Sequence, residues 1–172
     1  MSLILLTGGA GYIGSHTALE LLQQGFDVIS FDNYSNSSAE ALKRVEQLTG
    51  KTITQVSGDI RDETALRQLF NQYDISAVVH FAGLKAVGES TQIPLHYYDN
   101  NVAGTVTLCR VMRDVNVKKL VFSSSATVYG DAKQVPITES APRSATNPYG
   151  QSKLMLEYIL EDLVKAEPDW GI

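Results

Sequence analysis

The chain has 172 residues, 44% of them hydrophobic, and a formal charge of −5 from 14 Lys and Arg against 19 Asp and Glu. That length is enough for one domain with a sizeable core, and an acidic balance with no block of Lys or Arg argues against a nucleic-acid or polyanion surface. No apolar run approaches the roughly 18 residues of a membrane span, and no basic segment precedes the apolar N-terminal run as it does in a signal peptide. The single cysteine, Cys109, has no internal disulfide partner, reads as a packed thiol and fits a cytoplasmic protein.

In chain order, Leu3-Ile4-Leu5-Leu6 reads as a strand buried on both faces of a parallel sheet. Thr7-Gly8-Gly9-Ala10-Gly11-Tyr12-Ile13-Gly14 then ends it and opens a helix that carries Ile13, Ala18, Leu19 and Leu22 at helical spacing. The glycines fit two registers, Gly9-x-Gly11-x-x-Gly14 and Gly8-x-x-Gly11-x-x-Gly14. In either, a pyrophosphate can approach the backbone at the positive end of a helix. Gly25 closes that helix in the left-handed conformation, and Asp27–Phe31 is the second strand. Asp32 follows 18 residues after Gly14, near the spacing at which a carboxylate reaches the adenosine ribose. A carboxylate there accepts from both ribose hydroxyls and repels a 2′-phosphate, which selects NAD over NADP; the alternative is a strand-end cap.

The polar run Asn33–Ser38 reads as a ligand-facing loop whose Ser37 or Ser38 caps a helix over Ala39–Leu48. Ile53–Ser57 is the third strand, followed by Gly58-Asp59-Ile60. Asp59 either accepts from an adenine amino group or holds a turn. Asp62 caps a helix through Gln72, and Ala77–Phe81 is the fourth strand, ending in Ala82-Gly83-Leu84-Lys85. Small residues there let a cofactor lie against the backbone. His80, within an apolar run, reads as a core histidine rather than a catalytic one. No His, Cys, Asp or Glu cluster has ligand spacing, so no metal site is expected. A long helix runs from Pro94 to about Asp114, with Gly104 as an interior weak point, and Asn100 and Asn101 stand in it as amides with a task beside the site. Lys118–Phe122 is the fifth strand, Ala126–Asn147 is irregular, and Tyr149–Ala166 is the last helix.

Tyr149 and Lys153 lie four residues apart on one face of that helix. A phenol ordinarily titrates near 10, and a neighbouring ammonium favours its ionised form, so the pair suits removal of a hydroxyl proton. Lys153 also has reach for a nicotinamide ribose. Ser125, at the end of the fifth strand, can bond the same substrate oxygen. On its own a Tyr-x-x-x-Lys pair is an exposed helical face, but here it follows a glycine turn, an acidic strand end and a serine-rich strand end in order.

Together these segments resemble the extended short-chain dehydrogenase/reductases, and within them the UDP-glucose 4-epimerase family. The resemblance rests on Thr7–Gly14, Asp32-Asn33, Gly58-Asp59-Ile60, His80–Ser90, Tyr97–Val102, Ser123–Gly130 and Asn147–Lys153. It implies an α/β fold, a doubly wound parallel sheet of Rossmann type with five strands present. It also implies that Gly8, Gly11, Tyr12, Ile13, Gly14, Asp32, Asn33, Asn36, Ser37, Asp59, Ile60, Phe81, Ala82, Gly83, Lys85 and Asn100 contact NAD. Ser125 and Tyr149 would be the catalytic pair and substrate contacts, with Lys153 as their cofactor-binding partner. The implied reaction interconverts UDP-galactose and UDP-glucose by transient oxidation at C4 on a bound NAD. Related sugar-nucleotide dehydratases carry an Asp-Glu pair just after the position of Ser125, where this chain has Ala126-Thr127. Family members are roughly twice this length, and two sheet halves need a sixth strand. The expectation is therefore an incomplete NAD-binding domain of a longer enzyme, itself inactive, without its C-terminal substrate domain; the alternative is a short protein that binds NAD and does no chemistry. A homodimer through the helices near 94–114 and 149–166 is also implied.

Overall fold

The computed structural model describes residues 2–132 and 134–172. At its centre Leu3–Thr7 forms β1, paired in parallel with β2 (Asp27–Asp32) on one side and β4 (Ile75–His80) on the other. β3 (Thr54–Ser57) and β5 (Leu120–Phe122) complete a five-stranded parallel sheet in the order β3-β2-β1-β4-β5. The period-2 alternation of a strand divides β1 between two cores. Leu5 packs with Ile29 and Phe31 of β2 on one face, whereas Ile4 and Leu6 pack with Val28 on the other. Each of these leucines is fully buried, contributing about 1.5–3 kcal/mol. The expected unbroken apolar strand is thus one that serves two hydrophobic layers.

Helices α1 (Tyr12–Gln23) and α2 (Ala39–Thr49) cover the face of Ile4 and Leu6, through Ala18, Leu22, Leu42 and Val45. Ser38, not Ser37, caps α2, accepting from Glu40 N–H, and Gly50 closes it with φ +66°. The opposite face holds α3 (Glu63–Gln72), capped by Asp62, together with α6 (Gly104–Asp114) and α7 (Pro148–Ala166). Cys109 is buried in that layer and its thiol is pushed up to about 12 by burial, a packed group as expected.

Three local features differ from the sequence reading. A short helix, α4 (Val87–Gln92), precedes the long one. The long helix is not uniform, because α5 (Pro94–Tyr97) passes through a π-helical turn, Tyr98–Ala103, into α6. Gly104, the expected interior weak point, stands where the π turn gives way to α6, and a Cβ there would stand 2.7 Å from Ile60 Cδ1, so the glycine also lets the helix lie directly on Ile60. In the segment after β5, Ala126–Tyr129 forms a 3-10 turn, and Lys133 lies outside the described residues. After α7, Gly171 pairs in parallel with Lys119 at the edge of β5. Among the described residues, no helix is long and apolar enough to cross a membrane.

Candidate active site

The sheet reverses its winding between β1 and β4, and a cleft opens there at the carboxyl ends of the strands, where open α/β sheets bind ligands. Its floor is the glycine turn. Gly8 adopts φ +70°, and a Cβ on it would stand 2.6 Å from Ala82 N, so both the backbone conformation and the contact with the loop after β4 require glycine. A Cβ on Gly14 would meet the Gly8 carbonyl oxygen and Gly9 Cα. Gly11 caps α1 without a side chain and no acidic residue stands in the first turn, so the free N–H groups and the positive helix end face the cleft uncompensated. Tyr12 and Ile13, 75% and 55% exposed, line it.

Asp32 is buried at the end of β2. Its Oδ1 accepts from Tyr34 N–H at 2.9 Å and Ser37 Oγ at 2.8 Å, and its Oδ2 accepts from Ala10 N–H at 3.0 Å. The carboxylate therefore ties the glycine turn to the following loop and keeps one acceptor position open, on Oδ2. Ser37 stands behind Asp32 rather than among the cleft-lining residues, whereas Asn33, Ser35 and Asn36 line it. Gly58 and Ile60 line the same end, but Asp59 does not. Its carboxylate accepts from Arg61 N–H, Arg61 Nε and Nη2, and Asn33 Nδ2, which fills its acceptor positions and holds the turn. Of the two roles open to Asp59 in the sequence, this arrangement displays the turn.

Across the cleft lie Phe81, Ala82, Gly83, Leu84 and Lys85 after β4, Asn100 in the π turn, Ser123–Ser125 after β5, and Tyr149 and Lys153 on α7. Asn147 caps α7 by accepting from Gly150 N–H at 2.9 Å, and Pro148 stands in the first turn. Gly150 was not singled out in the sequence. A Cβ there would lie 3.0 Å from the Thr127 carbonyl oxygen, so the first turn of α7 abuts the turn that begins at Ser125. Ser125 Oγ accepts from Thr127 N–H at 3.2 Å and Thr127 Oγ1 at 2.9 Å, which leaves its own proton to donate into the cleft. Lys153 is buried, donating to the Ser123 carbonyl at 2.8 Å with its ammonium 4.7 Å from the centre of the Phe122 ring. Burial pushes it down to about 8.

A buried polar chain braces this side, and only part of it was legible in advance. Thr105 Oγ1 donates to the Asn101 carbonyl at 2.6 Å, so it accepts from His80 Nε2 at 2.8 Å. His80 is then the neutral Nε2–H tautomer, and its Nδ1 accepts from Thr7 Oγ1 at 2.5 Å. Burial, and then the Lys153 charge, push His80 down to about 3, as suits a core histidine with both nitrogens satisfied. Asn101 grips the Leu84 backbone through both N–H and carbonyl, and donates to Ser152 Oγ at 3.1 Å. The buried amide of Asn100 donates to Asn101 at 2.9 Å. Among the described residues, no group of three or more His, Cys, Asp or Glu side chains could hold a metal ion.

Comparison with known proteins gives this geometry a family. The family model described as GDP-mannose 4,6 dehydratase matches residues 5–168. The UDP-glucose 4-epimerase of Bacillus subtilis is 59% identical over 169 residues, covering 98% of this chain and 50% of that protein, and that of Dictyostelium discoideum is 59% identical over 168 residues. Among solved structures, the Bifidobacterium longum UDP-glucose 4-epimerase in complex with NAD+ and UDP is 56% identical with a TM-score of 0.96, over 98% of this chain and 51% of that one. A UDP-Glc/GlcNAc 4-epimerase from Campylobacter jejuni is 37% identical with a TM-score of 0.93. The chain thus spans about half the length of the curated relatives it matches. With a glycine turn, an acidic β2 end and a Ser-Tyr-Lys set around one cleft, and a family model matched along nearly its whole length, the chain belongs to the extended short-chain dehydrogenase/reductases.

Proposed function

We propose that this chain is the NAD-binding part of a UDP-glucose 4-epimerase. The observation that carries the reading is the convergence of Gly8–Gly14 and Asp32 with Ser125, Tyr149 and Lys153 on one cleft. The residues fit NAD. The glycines leave space where a Cβ would clash, the α1 N-terminus offers unpaired N–H groups to a pyrophosphate, and Asp32 Oδ2 keeps an acceptor for the ribose. When bound, NAD supplies a hydride acceptor at the sugar C4 and afterwards the donor that returns it.

The chain's own groups do the rest. Tyr149, one helical turn from Lys153, is the general base that takes the proton from the sugar 4-hydroxyl and later gives it back. Ser125 donates its remaining proton to that same oxygen and holds it in register with Tyr149. Lys153 commits one of its three donors to the Ser123 carbonyl and keeps two for the nicotinamide ribose and Tyr149. Ala126 and Thr127 supply no carboxylic acid beside Ser125, which favours epimerisation over loss of water. The isolated chain, which spans about half the length of its relatives, is expected to bind NAD without turning over the sugar.

The test joins this chain to the remaining half of the Bacillus subtilis relative and follows UDP-galactose with no added reductant. UDP-glucose formation, lost in Tyr149→Phe while NAD stays bound, supports the reading. An NAD-loaded protein that leaves UDP-galactose unchanged overturns it.

A further inference from the structure

Arg61 is assigned no role by the fold or by the Ser-Tyr-Lys chemistry, yet its side chain bonds two different carboxylates beside the Gly58–Ile60 end of the cleft. Its Nε and Nη2 bond Asp59 Oδ1 at 3.0 Å and Oδ2 at 2.8 Å, a bidentate grip, while its Nη1 reaches Asp99 Oδ2 at 2.8 Å. Asp99 belongs to the π turn that carries Asn100, which lines the cleft. One guanidinium therefore joins the turn after β3 to the helix across from it, and Gly104 seats on Ile60 beside this junction.

The fourth donor to Asp59 differs from the other three. Asn33 Nδ2 is a neutral amide at 3.1 Å, the longest bond in the set, and Asn33 lines the cleft. Arg61 holds the carboxylate through a charged, bidentate fork and through its own backbone N–H, whereas Asn33 contributes one uncharged donor, the weakest hold of the set. A ligand amino group arriving from the cleft would thus replace Asn33 and leave Arg61 in place. The guanidinium also holds the Asp59 carboxyl well below the usual carboxylate range, so it presents a charged acceptor.

We propose that Arg61, anchored by Asp99, is the positioning residue that aims Asp59 at the exocyclic amino group of adenine, with the Asn33 amide as the donor that the base displaces. The proposal rests on the NAD reading above. These pairs are one-quarter to three-fifths exposed, so their contribution lies in orientation more than in stability.

The test compares binding of NAD with binding of nicotinamide hypoxanthine dinucleotide, in which the amino group is replaced by a carbonyl oxygen that repels a carboxylate. By calorimetry the unaltered chain should prefer NAD by about tenfold or more, a preference of the size one charge-assisted hydrogen bond supplies. In Arg61→Met and Asp99→Asn that preference should shrink to about threefold or less through weaker NAD binding, with affinity for the hypoxanthine analogue nearly unchanged. A merely structural role would weaken both ligands in parallel. Should Arg61→Met fail to fold by circular dichroism, Asp99→Asn carries the comparison, because it leaves the grip on Asp59 intact and removes only the charge of its anchor. A preference retained in the variants overturns the role of Arg61 and leaves Asp59 as the adenine acceptor. No preference in the unaltered chain overturns both, and no NAD binding overturns the cofactor reading and the proposal with it.

Discussion

Replacing Lys153 by methionine should stabilise the chain in the absence of ligand while weakening NAD binding. The ammonium is buried, with one backbone acceptor and one aromatic face as its surroundings. Moving a lysine from its ordinary 10.5 down to about 8 corresponds to about 3 kcal/mol of disfavoured charge at neutral pH. Methionine fills a similar volume without that penalty, but it leaves the Ser123 carbonyl unpaired at a cost of about 1 kcal/mol. The net gain at pH 7 is about 2 kcal/mol, or about 4–8 °C in Tm for a domain of this size. The sign of the pH dependence is specific. Between pH 8 and 10.5 the unfolded chain holds the Lys153 proton and the folded chain does not, so stability of the unaltered chain rises through that window. Lys153→Met lacks this rise, so the two should exchange order above about pH 10. Urea unfolding at pH 7 and pH 10.5 measures both differences. A variant less stable at pH 7, or a difference that does not change with pH, refutes the reasoning.

Other consequences are equally concrete. Ser30 Oγ is the buried side-chain atom without a hydrogen-bond partner among the described residues, so Ser30→Ala should be neutral or stabilising by about 1 kcal/mol; a loss above about 1 kcal/mol in denaturant unfolding would show a partner that the geometry does not reveal. His80 is neutral when folded and titrates near 3, against 6.5 when unfolded, so the unfolded chain binds the extra proton as pH falls through that interval. The chain should lose up to about 5 kcal/mol there through this one residue, and His80→Gln should flatten the profile; an unchanged acid profile would count against it. The outward faces of α5 and α7 present Leu95 at 82% exposure, with Met155, Tyr158 and Ile159 also exposed. Light scattering should therefore find a dimer that Leu95→Asp dissociates, and a monomer at all concentrations would refute that expectation.

How far the sequence could be read depended on the range of the interactions. The glycine turn, Asp32 and the Tyr149–Lys153 pair were legible because short spacings and helix or strand periods carry them, and the structure brings all of them to one cleft. Contacts between distant residues carry no such local signal. Thr7 meets His80 across 73 positions and Arg61 meets Asp99 across 38. His80 could be read as a core residue from its apolar neighbours, but not as the centre of a chain from Thr7 to Asn101. Gly104 shows the same limit in reverse. Helix propensity marks it as a weakness, and only the position of Ile60 reveals that a larger side chain would have to push a neighbour aside. The π turn over Tyr98–Ala103 has no periodicity of its own, and the task inferred for the two asparagines emerges as Asn101 holding Leu84.

The proposed function stands or falls with an NAD site at the glycine turn and Asp32. Its most direct measurement is titration of the 172-residue chain with NAD and with NADP, followed by calorimetry. One saturable NAD site is expected, with NADP weaker by about tenfold or more, because a 2′-phosphate would meet the Asp32 carboxylate. Absence of NAD binding, or equal affinity for the two dinucleotides, would contradict it.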